Sequence, residues 1–360
     1  MRMALILLAL APVFAAAQEE GHWINLFDGE TTYGFSQLGD VPWAVESGAL
    51  VGANGSGGML ATTSQFTNFE LTAKIRLKAE CTSGLVVRSP LSGHPTENGA
   101  AVIWLTEAKD SKSPWHDITV RAAGNKLEAT LDGKKVDGFA SSNAKGYIGV
   151  LYHHNGDAKV EVSEMKLRPL GLSPIFDGKS LTNWNILPDH KSVFTVVDGA
   201  INIKNGNGQI ETSALYKDFL MQTDIFSNGE HLNSGVFFRG PVGVFWKGYE
   251  SQVRNQWIGD DRTKPVDFGT GGNYGNLPAR KVVSSDKEWF QKTIVCDGNH
   301  MATWINGYLA SDFLDTRPVN KQDNAKEGYV TGPGTMHLQG HDPTTDLSYK
   351  NIGVQVYPAD

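Results

Sequence analysis

The sequence predicts an all-β protein built from two antiparallel β-sandwiches in tandem, with jelly-roll topology the favoured arrangement. Three observations carry this. First, the chain repeats itself: Asn25-Leu26-Phe27-Asp28-Gly29 returns as Pro174-Ile175-Phe176-Asp177-Gly178, and Thr82-Ser83-Gly84-Leu85-Val86-Val87-Arg88 as Asn233-Ser234-Gly235-Val236-Phe237-Phe238-Arg239. The register is roughly 150 residues, a domain length rather than a solenoid repeat. Second, short β-branched and aromatic runs alternate with Gly/Asn/Asp turns; there are 40 glycines in 360 residues, well above an ordinary share of about 7%. Third, no stretch sustains a helical period.

Taken in order, Met1-Arg2, an apolar run from Ala4 to Phe14 and Ala15-Ala16-Ala17 read as a cleavable signal peptide over 1–17. Periplasmic or secreted localisation is therefore expected, and no later stretch approaches a membrane span. The first sandwich is expected over 22–170, with strands at 70–77, 85–88, 117–122, 126–131 and 159–167. Arg168 to Pro174, with two prolines, is a short stiff linker. The second sandwich is expected over 174–358, with strands at 220–226, 235–239, 249–254, 291–296, 301–305, 335–340 and 347–356. Asp132-Gly133 and Asn306-Gly307 suit tight hairpins, and Asp28 and Asp177 suit turns. Cys81 and Cys296 occupy non-equivalent positions and read as two buried free thiols. A net charge of −7 with no basic run excludes nucleic acid as a natural partner.

The duplication makes each half a control for the other. The second copy carries two insertions, 255–287 and 314–333; the first includes the Gly-rich run Gly269-Thr270-Gly271-Gly272-Asn273-Tyr274-Gly275. Long loops on a rigid sandwich are where sites are built. Strand alternation puts Glu250, Gln252 and Arg254 on one face, and His337, Gln339 and His341 on another. Aligning Gly99 with Gly248 sets Ala101 against Glu250 and Ile103 against Gln252, and Gly149, Leu151 and His153 stand against the three residues of the second row. A polar row on a sheet is costly unless it is hydrogen-bonded or solvated in a cleft. Each member has a blander reading. Glu250 could pair with Arg239 or Arg254, Arg239 has Arg88 as a twin and could be structural, and Gln222 and Asp224 default to the surface. The joint pattern favours a functional cleft on the second copy.

Phe176-Asp177-Gly178-Lys179-Ser180-Leu181-Thr182-Asn183-Trp184, Asn233 to Gly240, Gly248-Tyr249-Glu250-Ser251-Gln252-Val253 and Leu338-Gln339-Gly340-His341 closely resemble the 3-keto-disaccharide hydrolase domain family. The resemblance is good over 174–358 and weaker over 24–170, where the Tyr-Glu-x-Gln and Leu-Gln-x-His strands are lost. It implies a concanavalin A-like jelly roll in each half. It also implies, as substrate, an oxidised disaccharide or glycoside whose sugar carries a ketone at C3. Such a ketone acidifies the C2 hydrogen, so a base can remove it and expel the C1 aglycone. On that implication Glu250 is the base or a metal ligand, and His337 and His341 are acid candidates. Arg239, Gln252, Gln339 and Asn233 would orient the substrate, and Tyr274 would cover the sugar. No cofactor is demanded; a divalent cation on Glu250 and a histidine stays open because no spacing is diagnostic. Laminarinase-type Glu-x-Asp-x-x-Glu runs are absent, which disfavours a paired-carboxylate glycosidase. The competing expectation is a non-catalytic carbohydrate-binding β-sandwich protein.

Overall fold

A computed structural model describes residues 20–78, 80–107, 112–153 and 158–359; the expected signal peptide lies outside these. Each half forms a sandwich of one large and one five-stranded sheet, all antiparallel. In the first half the five-stranded sheet runs Phe35–Gly39, Gly58–Thr62, Tyr147–His153, Cys81–Ser89, Ala101–Glu107. In the second half its counterpart runs Trp184–Ile186, Gly208–Thr212, Thr335–Gly340, Ser234–Gly240, Tyr249–Val253. The large sheets centre on Phe69–Lys78 and Phe219–Ser227, each lying between a long C-terminal strand and the first arm of a hairpin.

Alternation explains the layers. In Phe69–Lys78 every other side chain is buried, so Leu71, Ala73, Ile75 and Leu77 face the core. The hairpin turns behave as their sequences predict: Asp132 and Gly133, and Asn306 and Gly307, all have positive φ, as a two-residue primed turn requires. Asp28 Oδ1 accepts the Glu30 and Thr31 amides, and Asp177 Oδ1 those of Lys179 and Ser180. Cys81 and Cys296 are both free and buried.

The two sandwiches also pack on one another. Leu220, Val295, Ala302, Trp304, Leu309 and Tyr357 of the second belong to the hydrophobic cluster of the first. Arg280 pairs with Asp28 at 3.1 Å, Lys145 with Asp297 at 2.8 Å, and Trp304 Nε1 donates to the Asn25 carbonyl. Gln222, expected at the surface, is buried here because its amide holds both backbone groups of His22.

The ladder corrects one expectation. Gly84 pairs with Trp104 and Gly235 with Gln252, so Trp104 matches Gln252 and Val102 matches Glu250. The offset arises because the first copy has one extra residue between Gly99 and its strand. A one-residue slip exchanges the two faces of a strand, and Ala101 in fact matches the core residue Tyr249. The second row holds as read: Gly149, Leu151 and His153 match His337, Gln339 and His341. Ser83 and Ser234 agree with this register, each donating at 2.6 Å to the matched carbonyl of the neighbouring strand, Leu151 or Gln339.

Candidate active site

Glu250 and Gln252 project from the edge strand Tyr249–Val253 onto the outer face of the second five-stranded sheet. The neighbouring strand makes room for the carboxyl with Gly235, whose absent Cβ would lie 2.3 Å from Glu250 Oε1. The Gly-rich loop runs along the open edge of this strand. The Gln252 amide donates to the Gly272 carbonyl, Gly271 donates back to Gln252, and the Tyr274 amide donates to the Glu250 carbonyl. Gly271 and Gly275 need their glycines, having φ of +91° and +78°. Just before them Asp267 and Phe268 adopt positive φ, 52° and 67°, a strained pair at a functional edge. Asp267 Oδ2 accepts from Asn233 Nδ2 at 3.0 Å and from Gln252 Nε2 at 3.2 Å.

The resulting cleft brings together Asn233, Glu250, Gln252, Tyr274, Gln339 and His341, six of the residues singled out from sequence, and adds Phe237, Trp246 and Lys326. It is narrow, about 50 Å³; larger cavities of about 390 and 440 Å³ lie between the sandwiches and on the first sandwich. The chemistry singles out the narrow one. Asn233 Oδ1, Gln339 Oε1 and Trp246 Nε1 are buried side-chain atoms without hydrogen-bond partners. Buried polar atoms are normally satisfied, so two acceptors and a donor left unpaired around one cleft point to a polar ligand.

Electrostatics sharpen the site. Burial pushes the Glu250 carboxyl up to about 8; Lys326 and Lys292 oppose the shift and Asp267 adds to it. Tyr274 is raised by burial and by Asp267 and Glu250. Lys326 Nζ sits 4.2 Å from the centre of the Tyr274 ring. His341 Nδ1 lies 2.9 Å from Asp342 Oδ2, and its ring stacks on Trp246 at 5.4 Å. This arrangement fixes the imidazole and turns its other nitrogen away from Asp342. Behind Trp246 the stack continues through Phe245 to His190.

Two expected site residues are not in the cleft. Arg239 is fully buried and donates to the Lys217 and Val330 carbonyls and to Asp218. Its twin Arg88 does the same work, holding the Thr67 and Asn143 carbonyls, and both have φ near +54°. The twin was the available signal for a structural role. Arg239→Ala should therefore cost about 3–5 kcal/mol of stability, with a comparable loss for Arg88→Ala in chemical denaturation. Unchanged stability with only weakened substrate binding would sink this placement.

His337 lies on the same sheet face but under the 241–247 loop. It contacts Thr335 through Nε2 and has Glu211 Oε2 at 3.4 Å, while Nδ1 is unpartnered. Burial holds its imidazole down to about 3, so it is neutral near pH 7. The loop is pinned over it by Gly243 donating to Glu211, and by Gln209 bonding the Trp246 amide and the Val244 carbonyl.

Sequence reasoning missed Lys326, Trp246 as a wall, and Lys292. Lys292 is buried in the sandwich core and donates to the Ser251 and Gln252 carbonyls and to Ser251 Oγ at 2.8–2.9 Å, directly behind Glu250. Burial lowers its pKa, opposed by Glu250. By ladder register its counterpart in the first copy is Ile118, a comparison that could have found it. Among the described residues no three His, Cys, Asp or Glu side chains gather to hold a metal; Glu250 and His341 are the metal-type donors lining the cleft.

Solved structures similar to this chain include two of candidate glycosyl hydrolases from Parabacteroides distasonis ATCC 8503. One is 22% identical, covers 52% of this chain and 94% of its own, with a TM-score of 0.42; the other is 21% identical, covering 52% and 99%, with a TM-score of 0.43. The carbohydrate-binding module CBM66 from Bacillus subtilis is 16% identical, covering 48% and 96%, with a TM-score of 0.34. No curated protein matches. The family described as the 3-keto-alpha-glucoside-1,2-lyase-like domain matches twice, over residues 22–168 and 171–355, and the chain belongs to that family, with one copy in each sandwich.

Proposed function

We propose that the second sandwich is an enzyme cleaving glycosides whose sugar carries a ketone at C3, and that it acts after export from the cytoplasm. The observation that carries the reading is a buried carboxyl facing a cleft whose own amides and indole are unsatisfied. Glu250 takes the C2 proton. The C2–H electrons form the C1–C2 double bond as the C1–oxygen bond breaks, and the departing oxygen takes a proton from His341. Water then adds across the double bond at C1, giving net hydrolysis. Charge building on the C3 oxygen meets the Lys326 ammonium, while Asn233 Oδ1, Gln339 Oε1 and Trp246 Nε1 suit sugar hydroxyls and ring oxygens. A carboxylate whose acid titrates near 8 is a stronger base than an ordinary one, and its ionised fraction grows as pH approaches 8.

Trp246 of the 241–247 loop and Lys326 of the 314–333 loop flank the cleft where a sugar would enter. The test is product release from a 3-keto-glucoside beside the unoxidised glucoside, with and without chelator. Release from the keto substrate alone is expected. Equal release from both, or from neither, would overturn the reading, the latter in favour of a binding protein. Loss on chelation would add a cation on Glu250 and His341.

A further inference from the structure

The same face of the first sandwich has been rebuilt rather than lost. By ladder register Gln209, Glu211, Phe237, Glu250, Gln252 and Gln339 are matched by Met59, Ala61, Val86, Val102, Trp104 and Leu151. Met59, Ala61, Val86 and Leu151 form a small hydrophobic cluster of their own on this outer face, separate from the main core. Above it lies an open groove of about 440 Å³, lined by Leu38, Met59, Pro95, Trp104 and Leu151, with His94 and His153 among its polar lining. Trp104 is 44% exposed, although it stands at the position of a buried glutamine in the second copy.

We infer that this groove is a second ligand site, for a planar aromatic ring such as the aryl aglycone of a glycoside, stacked on the Trp104 indole. The reasoning is one of desolvation. A sugar ring must give up water from several hydroxyls and recover each bond from side chains; on this floor the amide and carboxylate positions are Met, Ala, Val and Leu. An aryl ring gives up none, and gains stacking on an indole together with dispersion against Met59 and Leu151. A half-exposed tryptophan over a buried apolar floor leaves one of its faces for a flat ring. The register adds that this is the face on which the sister domain carries its own cleft. One chain would then hold the aglycone of a glycoside on one sandwich and act on the sugar of another molecule, or of an extended one, on the second.

The test is saturation-transfer NMR on the full chain, with 4-nitrophenyl β-D-glucopyranoside and methyl β-D-glucopyranoside as probes. Wild type is compared with Trp104→Ala and Trp104→Phe. The aromatic protons of the nitrophenyl probe should carry the transferred saturation. Trp104→Ala should weaken its binding about tenfold, and Trp104→Phe, which keeps a ring, should retain most of it. Methyl glucoside should give no signal that depends on Trp104. Wild-type affinity in Trp104→Ala would overturn the proposal. So would a Trp104-dependent signal from methyl glucoside, which would make the groove a sugar platform. All three proteins share the Glu250 cleft and neither probe is oxidised, so the outcome is independent of whether that cleft turns over.

Discussion

Glu250→Gln is expected to lower turnover of a 3-keto-glucoside by about 10²–10⁴-fold, the range for removal of a general base, and at the same time to make the protein more stable near neutral pH. The two effects share a cause. The carboxyl is buried and its pKa is raised to about 8, against about 4.3 in an unfolded chain. The native state therefore holds this proton more tightly than the unfolded state does. The stabilising contribution of that proton is complete below about pH 4.3 and is lost as pH rises through about 8. At pH 7 the wild type has forfeited about 3 kcal/mol, which a neutral glutamine of the same shape does not forfeit. Thermal melts across pH 4–9 should show the variant gaining on the wild type as pH rises, by roughly 5–10 °C near neutral pH, and levelling off above about pH 8. An inactive variant that tracks the wild type at every pH would mean the carboxyl is not held protonated by the fold. A variant that keeps its activity would remove Glu250 from the mechanism.

The architecture was legible because its signals are local and repeated. Phe69–Lys78 alternates strictly and buries one face, and the Asp-Gly and Asn-Gly hairpins carry their own backbone requirement. Shorter strands such as Ala49–Ala53 and Gly58–Thr62 are buried along nearly their whole length, so they offer no polar/apolar alternation to read. Of the six cleft residues, Glu250, Gln252 and Gln339 are legible as polar side chains on alternating positions absent from the sister copy; His341 shares their row although His153 matches it, Tyr274 stands in the inserted Gly-rich loop, and Asn233 comes from the family resemblance. The remainder depended on information a strand pattern does not contain. Lys326 comes from an insertion with no counterpart, so no comparison singles it out. His337 obeys the alternation but is sealed by a loop whose path is set by Gln209 and Glu211, two residues from a strand not recognised. Arg239 looked like a substrate contact because a buried guanidinium and an exposed one have the same sequence signature. The twin Arg88 was the sequence signal that told them apart, and the carbonyls and Asp218 that Arg239 holds bear it out. Register was the least secure inference: one extra residue after Gly99 hid the match between Trp104 and Gln252, and with it the groove of the first sandwich.

Lys292→Ile is the substitution that separates tuning from chemistry. It installs the residue that the first copy carries at this position, Ile118, in a core where lysine is fully buried. Replacing a buried charge by an apolar side chain of suitable size is often neutral for stability or favourable. Here the gain is offset by the donors withdrawn from the Ser251 and Gln252 carbonyls, so little net change in denaturation is expected. The catalytic consequence should be larger. Lys292 never reaches the cleft, and burial holds its own pKa well below the usual lysine value; in its protonated form it opposes the upward shift of Glu250, second to Lys326 in doing so. Without it the carboxyl should ionise at still higher pH. The rising limb of kcat/KM against pH should move to the alkaline side, with activity near pH 7 falling several-fold and recovering at higher pH. Lys292→Arg, which keeps the charge, should move the limb less, provided the longer side chain is accommodated. A uniform loss of activity at all pH values would assign Lys292 to holding the strand in place. An unmoved profile with full activity would show that the cleft does not sense it. The alkaline shift is expected because a charge in a dry core is felt through the backbone it binds, and the backbone it binds is the strand that presents Glu250.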